Sequence, residues 1–80
     1  MERESIEVKA RFDREGSITP LEFSSQARRV VVTSIGRSWR EAGERHVLVM
    51  DHEARVYELV FDSDEGRWYL IPPRQLADKA

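Results

Sequence analysis

One signal recurs along the chain: apolar residues at every second position, interrupted by short clusters of Gly, Pro, Ser and Asp. Ile6, Val8, Ala10 and Phe12 alternate with Glu7, Lys9 and Arg11, the pattern of a strand with one face in a core and the other in water. "DREG" (13–16) predicts a hairpin turn ending in glycine. "SITPLEF" follows, with Leu21 and Phe23 on one face. Pro20 has no N–H to give to a ladder, so this strand is expected at a sheet edge or to begin late. "QARRVVVTSIG" is the longest β-branched run, apolar on both faces in its middle, which predicts a central strand. No segment sustains a 3.6-residue apolar period for a full helix.

Residues 37–43, "RSWREAG", admit two readings. Ser38 and Gly43 suit the two ends of a single helical turn; alternatively the strand continues, bent, with Trp39 tucked inward, and this second reading is preferred. Beyond it, "RHVLVMD", "RVYELVFD" and "RWYLIPP" read as strands, with "DHEA" and "DSDEG" as the turns between them. Pro72 and Pro73 should stop the last strand, leaving 74–80 as a frayed tail or one helical turn. The expectation is a mainly β, single small domain spanning 1–80, with its core at about 5–73. It has about six antiparallel strands in a curved meander or SH3-like barrel.

The final hairpin constrains this further. Tyr57, Leu59 and Phe61 share one face of their strand, with Val56, Glu58 and Val60 on the other. Trp68 and Leu70 oppose Tyr69 and Ile71 in the same way. Neither strand has a wholly polar side, so something must cover both. A sheet curled into a barrel buries one of them. The apolar residues left over, Tyr69, Ile71, Val56 and Val60, are the candidate surface for a protein partner or a second copy.

Length sharpens the need for such a partner. A chain of 80 residues buries only about 60–65% of the surface its unfolded form exposes, and without cysteine it has no disulfide, thiolate metal site or cysteine nucleophile. The charged N-terminal stretch "MERESIEVKARF" does not read as a signal peptide. No apolar run approaches the ~18 residues of a membrane span. A cytoplasmic protein without a membrane partner is expected.

The acidic "DSDEG" invites a calcium reading, which spacing rejects. Counted from Asp62, the fifth residue is Gly66, the sixth Arg67 and the twelfth Pro73, where an EF-hand loop needs an oxygen ligand, glycine and glutamate. A hairpin turn with Gly66 at positive φ explains the same residues. His46 and His52 lie near Asp51 and Glu53 but lack the further ligands of a zinc site. They are expected to be, respectively, a partly exposed strand residue and a solvated turn residue. No nucleophile elbow or phosphate-binding glycine loop is present, so neither an enzyme nor a cofactor is expected. Glu58, between Val56 and Val60, should pair with an arginine across the sheet.

Net charge is −2, which disfavours nucleic-acid binding by bulk charge, but the distribution is uneven. Residues 28–46 carry Arg28, Arg29, Arg37, Arg40 and Arg45 against only Glu41 and Glu44. Arg28, Arg29, Arg37 and Arg40 around Trp39 would offer cations beside a stacking platform, as single-stranded nucleic-acid binders do on small barrels.

The run of Pro20, Phe23, Trp39, Tyr57, Glu58, Leu59, Asp62, Gly66, Trp68 and Leu70 resembles a small bacterial domain family of unknown function. Its members occur alone or as C-terminal tails on proteins resembling lesion-bypass (Y-family) DNA polymerases. The resemblance covers about residues 6–71 and rests on strand and turn residues, so it brings no catalytic residue. One departure is that "REAGERH" follows Trp39 here, where related tails carry further aromatics. The leading expectation is a non-enzymatic binding or accessory module acting through a protein or self-association surface. A nucleic-acid-associated module linked to DNA repair, implied by the resemblance and the arginines, is the alternative.

Overall fold

The structure, a computed structural model, describes residues 3–71. The expected stop at Pro72 and Pro73 and the tail at 74–80 lie outside the described residues. Seven strands form one antiparallel sheet: β1 (Glu4–Phe12), β2 (Ile18–Ser25), β3 (Arg28–Val31), β4 (Ser34–Glu41), β5 (Glu44–Met50), β6 (Val56–Asp62) and β7 (Arg67–Ile71). Their order is β3-β2-β1-β7-β6-β5-β4. Two meanders, β1–β3 and β4–β7, are thus sewn together by the pairing of β1 with β7, Ile6 opposite Trp68.

The sheet curls into a half-barrel, and the register shows which residues line its inside. Leu70, Leu59 and Val47 form one row across three strands, and Val8, Phe23 and Val30 another on the far wall. The walls meet where Phe23 sets its edge against Tyr57, ring centroids 5.2 Å apart. Phe23 and Leu59 are fully buried, each worth roughly 1.5–3 kcal/mol of apolar transfer.

The sheet has seven strands where about six were expected, and the expectation corrected is that "QARRVVVTSIG" forms one central strand. That run splits into β3 and β4, the two edges of the sheet. The crossing is made at Val32 and Thr33. The Val32 N–H donates to the Leu21 carbonyl at 2.9 Å, whereas the Thr33 N–H donates to Met50 at 2.8 Å. One residue therefore still belongs to β2's neighbour and the next already belongs to β5's. Val30 is buried and Val32 packs on the core, but Val31 points out and is 50% exposed.

Residues 37–41 continue β4 as a bent strand, with a register shift between Ile35 and Ser38. Trp39, however, is not tucked into the core. It pairs with His46, on the convex face opposite the one that carries Val47. Pro20 marks an edge only locally. It sits at a bulge of β2 that pairs on one side with β1, while β3 reaches no further than Glu22.

Three aspartates anchor the turns. Asp13 Oδ1 accepts the N–H groups of Glu15 and Ser17, both at 2.9 Å. Asp62 Oδ1 accepts those of Asp64 and Glu65, and Gly66 closes "DSDEG" at φ +66° with its N–H on the Asp62 carbonyl. The acidic link is the hairpin turn that the sequence predicts. Asp51 anchors the β5–β6 turn in the same way, leaving His52 solvated at its tip.

Candidate functional site

Because β3 passes into β4 at one end of the half-barrel, the other end stays open. Past Thr33, β4 follows β5 towards Arg45, and among the described residues no strand covers residues 18–20 of β2 on that side. A cleft of about 290 Å³ fills the gap between these unpaired stretches, walled by Ile18 of β2 and Ile35, Ser38 and Arg40 of β4. Val47, Phe61 and Trp68 form its floor. Phe61 and Trp68 pack tilted with centroids 4.9 Å apart, and Phe12 sets its edge on Phe61 at 6.1 Å while remaining 57% exposed.

Arg40 and Arg45 stand at the cleft directly opposite each other in the β4–β5 register. Like charges so placed repel. Four other cations are tied to carboxylates, Arg3 to Glu44 at 2.8 Å, Lys9 and Arg29 to Glu22, and Arg55 to Glu53, while Arg11, Arg14, Arg28, Arg37 and Arg67, away from the cleft floor, have no such pair among the described residues. Among the described residues, neither Arg40 nor Arg45 has such an ion pair. An apolar floor beneath two uncompensated guanidiniums is equipped to hold an anionic group beside an apolar one.

The five residues expected to form one nucleic-acid surface are not brought together. Arg28 and Arg29 lie on β3 beside the Asp51–Glu53 turn, with Arg29 facing Glu22 at 3.8 Å. Arg37, Trp39 and Arg40 lie towards the opposite end of the barrel. Arg37 sits over the Trp39 ring, 5.3 Å from its centroid, and only Arg40 and Trp39 border the cleft. The contiguous block is divided because the chain changes sheet edge in its middle.

The expected partner surface is corrected at Val60. Tyr69 and His46 flank it in register, and it is 0% exposed, so it cannot be a contact. Tyr69 is half-buried beneath the guanidinium of Arg3, 4.1 Å above its ring. Ile71 is half-buried, and Val56 is 46% exposed. His46 is also corrected: it is 8% exposed, stacked on Trp39 at 5.2 Å, and its Nδ1 donates to Glu58 Oε2 at 2.7 Å. Glu58 thus pairs with a histidine diagonal to it on β5 rather than with an arginine.

Arg45 is the functional candidate missing from the sequence reading. Its signal was the alternation itself, since Arg45 is in phase with Val47 and Val49 and therefore faces the inside of the barrel. Asp51 lies outside the cleft, and its carboxyl is perturbed. Burial pushes its carboxyl up, but the N–H groups of Arg55 and Glu53 and the Tyr57 hydroxyl outweigh this and hold it below the usual carboxylate range. That site braces a turn and is not part of the cleft. No family model, curated protein or solved structure matches the chain.

Proposed function

We propose that the protein is a non-enzymatic binding module whose working surface is the cleft between β2 and β4. The observation that carries this reading is Arg40 opposite Arg45, without a described carboxylate partner, above the floor of Val47, Phe61 and Trp68. An anionic group entering the cleft relieves the repulsion between the guanidiniums, and an apolar group beside it removes Phe61 and Ile35 from water.

Melting curves at low salt with polyglutamate and with oligothymidine test it, since a ligand that binds only the folded state raises its melting temperature. At least one should stabilise the wild type and leave Arg40→Gln/Arg45→Gln unmoved. No shift with either polyanion, or equal shifts in both proteins, would sink the reading. The oligothymidine arm also tests the nucleic-acid role implied by the family resemblance.

A second reading, association through the convex face, is supported by the exposed pair Val56 and Met50, opposite each other in register. Light scattering decides it: a dimer that Val56→Asp converts to monomer supports association, and a wild type that is monomeric at high concentration removes it.

A further inference from the structure

We infer that the occupant of this cleft is an extended acidic peptide of a partner protein, added as an eighth strand along β4. The inference rests on the reading of the cleft as a binding site and goes beyond it in naming the ligand and its geometry. β4 is eight residues long, contains no proline, and has β5 as its only neighbour among the described residues. All of its residues except Trp39 are exposed. Such an edge presents unpaired N–H and C=O groups to any extended chain, and proteins normally blunt it. Here the arginines on the strand decide which chain is accepted.

Consider first a second copy. Antiparallel pairing of β4 with itself would set Ile35, Ser38 or Arg40 of the other copy beside the Arg40–Arg45 pair, and none of these inner-face residues is a carboxylate. A second copy therefore leaves the Arg40–Arg45 pair uncompensated, whereas an acidic strand compensates it. Side chains of an added strand alternate between faces. A residue on the inner face next to Arg40 would meet the Arg40–Arg45 pair. The inner-face residue two positions away would lie over Ile35 and Ser38 and enter the cleft. The fitting sequence is therefore an acidic residue and a large apolar residue at positions i and i+2, with a further acidic residue on the outer face near Arg37.

A nucleic-acid strand fits less well. Its backbone needs a run of cations over at least about four nucleotides and open aromatic faces for its bases. Arg28 and Arg29 belong to the other end of the barrel, Phe61 and Trp68 are packed on each other, and Trp39 already carries His46 and Arg37 on its ring. An open strand edge, in contrast, is matched by peptide backbone and by nothing in a phosphodiester chain.

The test uses a fluorescent peptide of about eight residues, alternating glutamate with valine and carrying one central phenylalanine, a length matched to strand spacing along β4. Binding is read by anisotropy, and strand addition by amide hydrogen exchange. The peptide should slow exchange at alternate β4 amides, and N-methylation of alternate peptide nitrogens should weaken binding by about tenfold or more. Arg40→Gln/Arg45→Gln should weaken it comparably. A lysine version of the peptide should bind poorly to the wild type and regain binding to Arg40→Glu/Arg45→Glu. Peptide binding that tolerates N-methylation, or that leaves β4 exchange unchanged, overturns strand addition. Oligothymidine bound through Arg40 and Arg45 with the peptide inert overturns the peptide while retaining the cleft. Binding of neither overturns both.

Discussion

The hydroxyl of Tyr57, at the second position of β6, donates to Oδ2 of Asp51 at 2.9 Å, across the turn that joins β5 to β6. Oδ1 of the same carboxylate accepts the N–H groups of Glu53 at 2.8 Å and Arg55 at 3.0 Å. Asp51 is only 6% exposed, so its ionised form depends on these donors. Burial acts to raise its proton affinity, the three donors act to lower it, and the donors win. The folded-state value therefore lies below the unfolded one. The stabilisation is fully present above the unfolded value of about 4 and is lost as pH falls through the folded value. Glu44, held down by Arg3, loses stabilisation in the same window. Asp51→Asn should flatten the acid side of the stability curve in part, as should removing the Arg3–Glu44 pair. Tyr57→Phe should cost about 1–2 kcal/mol at neutral pH. Acid-unfolding curves recorded by circular dichroism decide the matter: identical acid limbs in wild type and Asp51→Asn would refute the assignment.

The layer on the convex face makes a second prediction. His46 is held between the Trp39 ring and the Glu58 carboxylate, so the pair should be energetically coupled. A double-mutant cycle of His46→Ala and Glu58→Ala in urea should return a coupling of about 1–2 kcal/mol. Additive effects would mean that each residue acts through its own packing alone. Trp39→Ala should also destabilise, by loss of the stack, without disturbing the inner row of Leu70, Leu59 and Val47.

How much of this was readable beforehand differs from place to place. β1, β5, β6 and β7 follow from alternation alone, because each has a core face whose residues recur with period two. The division of residues 28–41 does not. Val30, Val31 and Val32 read as a strand covered on both faces, yet Val31, in ordinary alternation with its neighbours, faces water, because β3 lies at one sheet edge and the chain changes to the other edge just after it. That change is fixed by the hydrogen bonds of Val32 to Leu21 and Thr33 to Met50, contacts between distant segments. The same crossing scattered the arginine block that looked contiguous. His46 was misplaced for a related reason: a strand covered on both faces buries consecutive residues, and the cover for His46 is Trp39 from another strand. Arg45, by contrast, was legible, since its phase with Val47 and Val49 already aimed it inward.

The β2–β3 hairpin offers a route to greater stability. Its two loop residues, Gln26 at φ 53° and Ala27 at φ 64°, hold the left-handed conformations of a tight hairpin turn without the Asn-Gly pair such turns favour. Gln26→Asn with Ala27→Gly should relieve the strain and stabilise by about 1 kcal/mol, raising the melting temperature by roughly 4–8 °C. The reverse change at Gly66, whose φ is +66°, should cost about 1 kcal/mol as Gly66→Ala. Calorimetry on both variants checks the two signs together, and a Gly66→Ala protein as stable as the wild type would refute the turn assignment.

Arg40 and Arg45 make the last prediction, one that separates a binding role from a structural one. If the pair is retained for a ligand, the free protein bears its repulsion, and neutralising either member should stabilise the fold. Arg45→Gln should gain about 0.2–1 kcal/mol at low salt. Added salt should raise wild-type stability more than that of the variant, because screening removes the same repulsion. The opposite result has a definite physical meaning. If the stem of Arg45 instead packs over Phe61 and Val47 as an apolar cover, shortening it to glutamine uncovers the floor and the variant melts lower. Melting curves of wild type, Arg45→Gln and Arg45→Met across a salt series distinguish the two. Methionine restores the apolar stem without the charge, so a destabilised Gln variant rescued by Met identifies a covering role, whereas stabilisation by both leaves the charge as the feature kept for binding.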